Sequence, residues 1–286
     1  MATTLILWSS AFVGIRHLGG AVPAGALSLG RLLVMGIALG GLLLARGGFR
    51  GPARREWPLI ALGGATWFGV YNLTLNEAER RIDAGTAALI VQIGPVVVTL
   101  LAAVFLRERL TRWTLAGTAV GFGGVVIIGR ASSSGGNGDL VGVLLVVVAA
   151  LTFAIGVLTQ KVLLPTMSAL LLTFWFCVAG VVVCLPWLGQ LASVVSSADA
   201  SDLWWLVYLG LFPSAIGFVT WAYALSSADA GKFAQSTFLV PFITTLMAWL
   251  LLDEVPPALA FVGGALCIAG VLLSRHRPRR PPASQG

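Results

Sequence analysis

Apolar residues fill this chain in long runs separated by short polar breaks. The runs cover Ala2–Leu18, Ala24–Ala45, Trp57–Asn76, Ala84–Leu106, Trp113–Gly129, Leu140–Gln160, Ser168–Leu188, Leu203–Leu225, Lys232–Leu252 and Pro257–Ser274. Each has roughly the 17–25 residues that a helix needs to cross the hydrocarbon core of a bilayer. The pattern therefore predicts an all-α integral membrane protein with ten transmembrane helices. The first run has no basic segment before it and no small-residue cleavage site after it, so it reads as a membrane helix rather than a secretory signal peptide.

The pattern also repeats. Residues Asp83 to Arg130 lie without a gap on Asp229 to His276, at a constant offset of 146, and 14 of the 48 positions are identical. In a sequence so rich in Ala, Gly, Leu and Val, the scarce residue types carry the information. Asp83-Ala84-Gly85 falls on Asp229-Ala230-Gly231, Pro95 on Pro241, Glu108 on Glu254, Gly117 on Gly263 and Gly124 on Gly270. A weaker match places Trp8 to Arg16 on Phe153 to Lys161 at an offset of 145. The expected units are residues 1–130, a linker at 131–139, residues 140–274, and a basic cytoplasmic tail at 275–286. Five helices per copy is an odd number, so the second copy must enter the membrane from the side opposite to the first. Such inverted repeats interconvert inward-open and outward-open cavities when the two halves exchange conformations.

Composition adds the solvent. With 58% hydrophobic residues, 10% charged residues and a mean hydropathy of +0.94, lipid must surround most of the chain. The formal charge of +7 sits in short loops and serves as a topology signal, not as a nucleic-acid surface. With the N-terminus inside, Arg46, Arg50, Arg54, Arg55, Arg107, Arg109, Arg112, Lys161, Lys232, Arg275, Arg277, Arg279 and Arg280 face the cytoplasm. Arg16, Arg80, Arg81 and Arg130 face the other side. The positive-inside rule then puts both termini in the cytoplasm; the bias to Arg over Lys is what a GC-rich bacterial genome gives, and the expected location is a bacterial inner (cytoplasmic) membrane. Cys177, Cys184 and Cys267 lie inside apolar runs and imply neither a disulfide nor a metal.

The segment Trp8-Ser9-Ser10-Ala11-Phe12-Val13, then Arg31, Pro95 and Glu108-Arg109-Leu110-Thr111 leading into Gly117 and Gly124, resembles the first EamA domain of the drug/metabolite transporter superfamily. Pro241, Glu254, Gly263 and Gly270 repeat the later part. The resemblance covers nearly the whole chain. It implies a polytopic transporter of small metabolites whose central cavity is lined mainly by helices other than the fifth and tenth. Arg31 has no counterpart in the second copy, where Trp175 and Phe176 stand.

Arg31 lies within its helix, where a charge normally faces a cavity or a partner. It reads either as an anchor for a carboxylate or phosphate, or as one side of an ion pair with Glu77 or Glu79. Candidates for the cavity wall are Trp8, Ser9, Ser10, Trp67, Tyr71, Asn72, Asn76 and Gln92 from the first copy. Trp221, Tyr223, Gln235, Ser236 and Thr237 are those from the second. Trp67 and Tyr71 share a helix face. The set describes a mostly neutral, aromatic-lined pocket, although each polar member could equally serve as interhelical glue. Pro95 and Pro241 should bend their helices, as fixed kinks or as gates. Glu108 and Glu254, at helix ends, suit capping or pairing with a loop arginine. Glycine pairs Gly36/Gly40 and Gly117/Gly121 have the spacing for close helix contact, within the chain or in a homodimer.

No catalytic or metal-binding spacing and no phosphate loop occurs, so an enzyme, a cofactor and a nucleic-acid partner are not expected. The expected function is a secondary transporter of small organic metabolites or drugs working by alternating access, in the direction of export. Its partners would be a small-molecule substrate, the lipid bilayer, and a proton or an exchanged solute for coupling. The alternative is a non-transporting scaffold or accessory subunit derived from a transporter, with an interior of packed Leu and Val.

Overall fold

The structure is a computed structural model that describes residues 1–18, 22–82, 87, 90–132, 139–252 and 257–276. Among these residues all regular structure is helical, in ten rods. Helix α1 is Ala2–Leu18 and α2 is Ala24–Ala45. Helix α3 runs through Trp57–Gly63, Gly64–Val70 and Tyr71–Ala78, and the regular part of α4 is Ile93–Phe105. Helix α5 is Arg112–Ser132, α6 is Leu140–Leu163, and α7 is Ala169–Ser197. Helix α8 is Ala200–Ser226, α9 joins Ala230–Ala234, Gln235–Phe238 and Leu239–Leu252, and α10 is Ala258–Ser274. Five of them, α2, α5, α6, α7 and α8, are long and apolar enough to cross a membrane on length and composition alone. The duplicated Asp83-Ala84-Gly85, Glu254, most of the expected linker at 131–139 and the tail beyond 276 lie outside the described residues.

Local chemistry explains several boundaries. Helix α6 starts where the Asp139 carboxylate accepts the Val141 N–H (2.9 Å), and α7 where the Ser168 hydroxyl accepts that of Leu171 (3.3 Å). Helix α7 runs nine residues past its expected end at Leu188, through a 3-10 turn at Leu185–Trp187 that contains Pro186. The extension is amphipathic: Leu191 and Val194 are buried while Leu188 and Val195 are exposed. It packs on α2, whose glycines admit it, since a Cβ on Gly30 would meet Leu191 at 3.1 Å.

The two halves show the same departures from regular helix. The α-helical hydrogen bonding of α3 gives way to π-helix at Gly64–Val70, and that of α8 at Gly210–Ile216, each boundary 146 residues apart. Regular helix resumes at Ile93 in α4 and at Leu239 in α9, again 146 apart.

Packing repeats as well. Helix α1 packs on α9 as α6 packs on α4, and the π turn of α8 packs on α2 as that of α3 packs on α7. Helices α5 and α10 pack on one another and on α9, to one side of the rest. A Cβ built on Gly117 would lie 2.5 Å from the Gly270 carbonyl oxygen, and one on Gly124 would lie 2.5 Å from that of Gly263. Under the offset, 117 becomes 263 and 124 becomes 270, so the two contacts are one contact seen from each half. Because 117 meets 270 while 124 meets 263, α5 and α10 are antiparallel. The two-fold relating them is therefore perpendicular to the helices, in the plane of the membrane. Met1, just before α1, and Arg275, just past α10, line one cavity, so the start of α1 and the end of α10 lie on one face.

Candidate functional site

At the junction of the halves the interior is walled by aromatic rings. The Trp67 side chain projects from the π turn of α3 and is 1% exposed, and Trp221 on α8 is fully buried. Trp8 on α1 stacks on Trp221, with centroids 4.9 Å apart, and meets Trp67 edge-on at 6.4 Å. Trp67 also packs edge-on against Phe153 of α6 (5.3 Å) and Phe218 of α8 (5.2 Å). Phe233 of α9 packs on Trp221, with ring centroids 4.6 Å apart. Glycine makes the approach feasible: a Cβ on Gly156 would overlap Trp67, and one on Gly217 would lie 2.9 Å from the Trp8 indole nitrogen.

Two of the rings, Trp8 and Phe153, occupy equivalent places in the two copies. The Trp8 indole N–H donates to the Pro213 carbonyl oxygen (3.2 Å) in the π turn of α8. Its repeat partner Phe153 packs on Trp67, which is the repeat partner of Pro213. Inside that π turn Pro213 donates no backbone hydrogen bond, and the Ser214 hydroxyl reaches back to the Leu209 carbonyl (2.7 Å).

The polar candidates divide into those tied within the scaffold and those left open. Ser9 donates to the Val240 carbonyl (3.3 Å), and Ser10 shares a hydrogen bond with the Tyr208 hydroxyl (2.7 Å). Tyr71 lies beside Phe153, with centroids 6.3 Å apart. The Asn72 amide donates to the Phe68 carbonyl (2.9 Å), a backbone group at the π turn, and Asn76 donates to the Ser28 hydroxyl on α2 (2.9 Å). Ser236 accepts from Arg275 (2.8 Å). Tyr223 is 75% exposed on the outer surface. It stands two residues from Trp221, about 200° round the helix, so the two cannot face one pocket.

Arg31 is buried, and its Nη2 donates to the Ser214 hydroxyl (3.3 Å) while Nε has no partner. Glu77 pairs with Arg81 (2.9 Å) and not with Arg31, and Glu79 Oε1 is buried without a hydrogen bond. Further buried polar atoms stand unpartnered: the Trp221 indole N–H within the cluster, and, elsewhere in the interior, Gln235 Oε1 on α9 and both amide atoms of Gln160 on α6. An unpaired buried polar group costs about 1–3 kcal/mol. Such atoms are therefore what a polar ligand in this interior would satisfy.

The proline helices are broken rather than bent. In each, Pro stands two residues into the restarted helix, and a threonine four residues on donates back to its carbonyl: Thr99 to Pro95 (2.8 Å) and Thr245 to Pro241 (2.9 Å). Pro241 has no N–H for the Thr237 carbonyl, its i−4 acceptor. The Gln92 amide from the other half fills that place at 2.7 Å. Farther along the same seam, Glu108 receives the Ala230 N–H (2.5 Å) and the Gly231 N–H (3.0 Å), capping α9 from the end of α4. The Thr99 hydroxyl, its proton directed at Pro95, also lies 3.3 Å from the Gly231 carbonyl oxygen and accepts from Gln235 (3.3 Å). The glycine pairs are used within the chain, Gly40 against Phe174 of α7 and Gly117 against α10.

Sequence inspection did not single out Phe153, Phe218, Phe233, Tyr208, Thr99 or Gln160. For Phe153 a signal existed, its alignment with Trp8 in the repeat. The others sit in apolar runs with nothing in their spacing to separate them from packing residues.

The sequence pattern of the EamA-like transporter family matches residues 1–130 and 140–275. The chain is 41% identical over 289 aligned residues to a probable terminal-alkyne amino-acid exporter of Streptantibioticus cattleyicolor, covering 99% of this chain and 95% of that protein. It is 25% identical to a probable amino-acid metabolite efflux pump of Salmonella typhimurium, covering 94% and 91% of the two chains. A solved crystal structure at 22% identity superposes with a TM-score of 0.78 over 96% of this chain and 94% of the other, so the fold is shared.

Proposed function

The chain belongs to the EamA-like transporter family of multi-pass membrane carriers, and we propose that it exports small α-amino acids with apolar side chains by alternating access. The observation that carries this is the ring cluster of Trp8, Trp67, Trp221, Phe153 and Phe218, with the buried Trp221 indole N–H unpaired within it. Ring faces accept a compact apolar side chain, including an alkyne whose terminal C–H can point at a π face. The Trp221 N–H and the Gln160 and Gln235 amides supply both donors and acceptors for the ammonium and carboxylate groups. The names of the two relatives point to the same substrate class. An interior of rings and unpaired amides differs from the packed Leu and Val of a non-transporting scaffold.

In this reading residues 1–130 and 140–274 act as the two arms, 131–139 joins them, and 275–286 is a basic tail. The face that carries both chain ends is cytoplasmic, because thirteen of the eighteen Lys and Arg residues fall there. Export is coupled to a proton gradient or to exchange.

The test is efflux from proteoliposomes loaded with labelled L-propargylglycine or L-leucine. Efflux should exceed that from protein-free vesicles, and Trp221→Ala should slow it at least tenfold. If neither amino acid leaves faster than from empty vesicles, the assignment is wrong.

A further inference from the structure

At the face that carries both chain ends, a cavity of about 380 Å³ is lined by Met1, Asp229, Lys232, Phe233 and Arg275, with the turn at Ser227 and Ala228. Its volume is near the lower end of ligand pockets, which run from roughly 300 to 1,000 Å³, so it suits a small molecule. The wall carries both signs of charge. Lys232 Nζ is 3.1 Å from the Asp229 carboxylate, and Arg275 holds the Ser236 hydroxyl through Nη2 at 2.8 Å. An ammonium has three donors and a guanidinium five, so each keeps N–H groups for a further acceptor.

The cavity stands next to the ring cluster. Phe233 is buried and forms part of the wall, and its ring packs on Trp221 with centroids 4.6 Å apart. Behind it, the Trp221 indole N–H is buried with no partner, a free donor. A wall of one sign would repel one end of a zwitterion, whereas this wall offers a counter-charge to each.

We propose that this cavity is the loading site for a free α-amino acid. Lys232 and Arg275 receive its carboxylate, Asp229 its ammonium, and the Phe233 ring is the door through which it passes to the Trp221 cluster. The inference rests on the amino-acid assignment made above and adds to it where the substrate enters and what recognises its charges.

The test uses the full chain in proteoliposomes with three probes of matched length: L-norvaline, butylamine, which lacks the carboxylate, and pentanoate, which lacks the ammonium. Norvaline should compete for labelled-leucine exchange, and the other two should be at least tenfold weaker. Lys232→Met, Arg275→Leu and Asp229→Asn should each raise the norvaline half-saturation about tenfold at the face carrying the chain ends, with a much smaller change at the opposite face. Lys232→Arg and Arg275→Lys keep the charge and should stay within about threefold of the parent, which separates lost charge from misfolding. Half-saturation in the charge-removing variants equal to the parent, or shifted equally at both faces, overturns the loading site while the transport assignment stands. A parent chain that neither exchanges leucine nor responds to norvaline overturns both.

Discussion

Gln92 shows how a single side chain can hold the two halves together at a helix break. Pro241 removes the N–H that would reach the Thr237 carbonyl, and the Gln92 amide supplies the missing donor from α4. Replacing it should take from that carbonyl its side-chain donor, so Gln92→Leu should cost about 0.5–1.5 kcal/mol of stability. The mechanism makes a sharper claim. Pro241→Ala restores the backbone donor, so the cost of Gln92→Leu should fall by at least half in that background. Thermal unfolding of the parent, both single variants and the double variant measures the coupling; costs that simply add would refute it. Glu56, in the loop between α2 and α3, gives a prediction in pH. Hydrogen bonds from Thr166 and from the Ala53 N–H (2.7 Å) hold its carboxyl below the usual carboxylate range. A depressed folded pKa stabilises above the unfolded value, about 4.3 for glutamate, and that contribution is lost as pH falls through the folded value. Glu56→Gln should therefore melt below the parent at pH 7 and at pH 5.5, and the difference should close below about pH 4.

At the scale of elements, the glycines of α5 and α10 are where the repeat becomes contact. Adding a methyl at Gly117 or Gly263 drives it against the backbone of the facing helix. Gly117→Ala and Gly263→Ala should each cost about 1–3 kcal/mol, and by about the same amount, because the two-fold makes their surroundings alike. Gly123, with open space around it, is the control: alanine there should be neutral or stabilise by up to about 1 kcal/mol. Melting temperatures of the three variants decide the matter. The duplication of these glycines was legible in the sequence because Gly at matching positions stands out even in an apolar background. The π turns were not. Gly64–Val70 and Gly210–Ile216 look like ordinary apolar helix, yet the wider turn brings Asn72 beneath the carbonyls of Phe68 and Trp67 (2.9 and 3.5 Å). Reasoning from a 3.6-residue period puts Asn72 on the pocket wall beside Tyr71, whereas its amide is taken up by backbone. Tyr223 was misplaced for a simpler reason, since an aromatic on the same helix as Trp221 need not share its face. Glu108 could be recognised as a helix-end carboxylate, but the backbone it caps lies 122 residues away in the other copy. Linear spacing carries no trace of that partner.

At the scale of the whole molecule, these cross-copy contacts decide what can move. The division into ten spans and two opposed halves followed from apolar run lengths and a few scarce residues, and the antiparallel Gly117–Gly270 and Gly124–Gly263 contacts give it a geometric form. Under the offset, the seam between Thr99 of α4 and Gly231 of α9 corresponds to Thr245 of α9 and Gly85 of the first copy, the latter outside the described residues. Alternating access requires the seam at the face with the chain ends to part when substrate loads there. A Cβ on Gly231 would lie 3.1 Å from the Thr99 Cα and 3.5 Å from its Cβ, so side chains at the two positions abut across the seam. Thr99→Cys with Gly231→Cys should therefore oxidise readily, with the native Cys177, Cys184 and Cys267 left in place because all three are buried. The oxidised protein should stop exchanging leucine and regain exchange on reduction, while the reduced form and each single variant keep working. Continued exchange by fully crosslinked protein would mean that this seam stays shut throughout the cycle, and the moving boundary between the halves would then have to lie elsewhere than between α4 and α9.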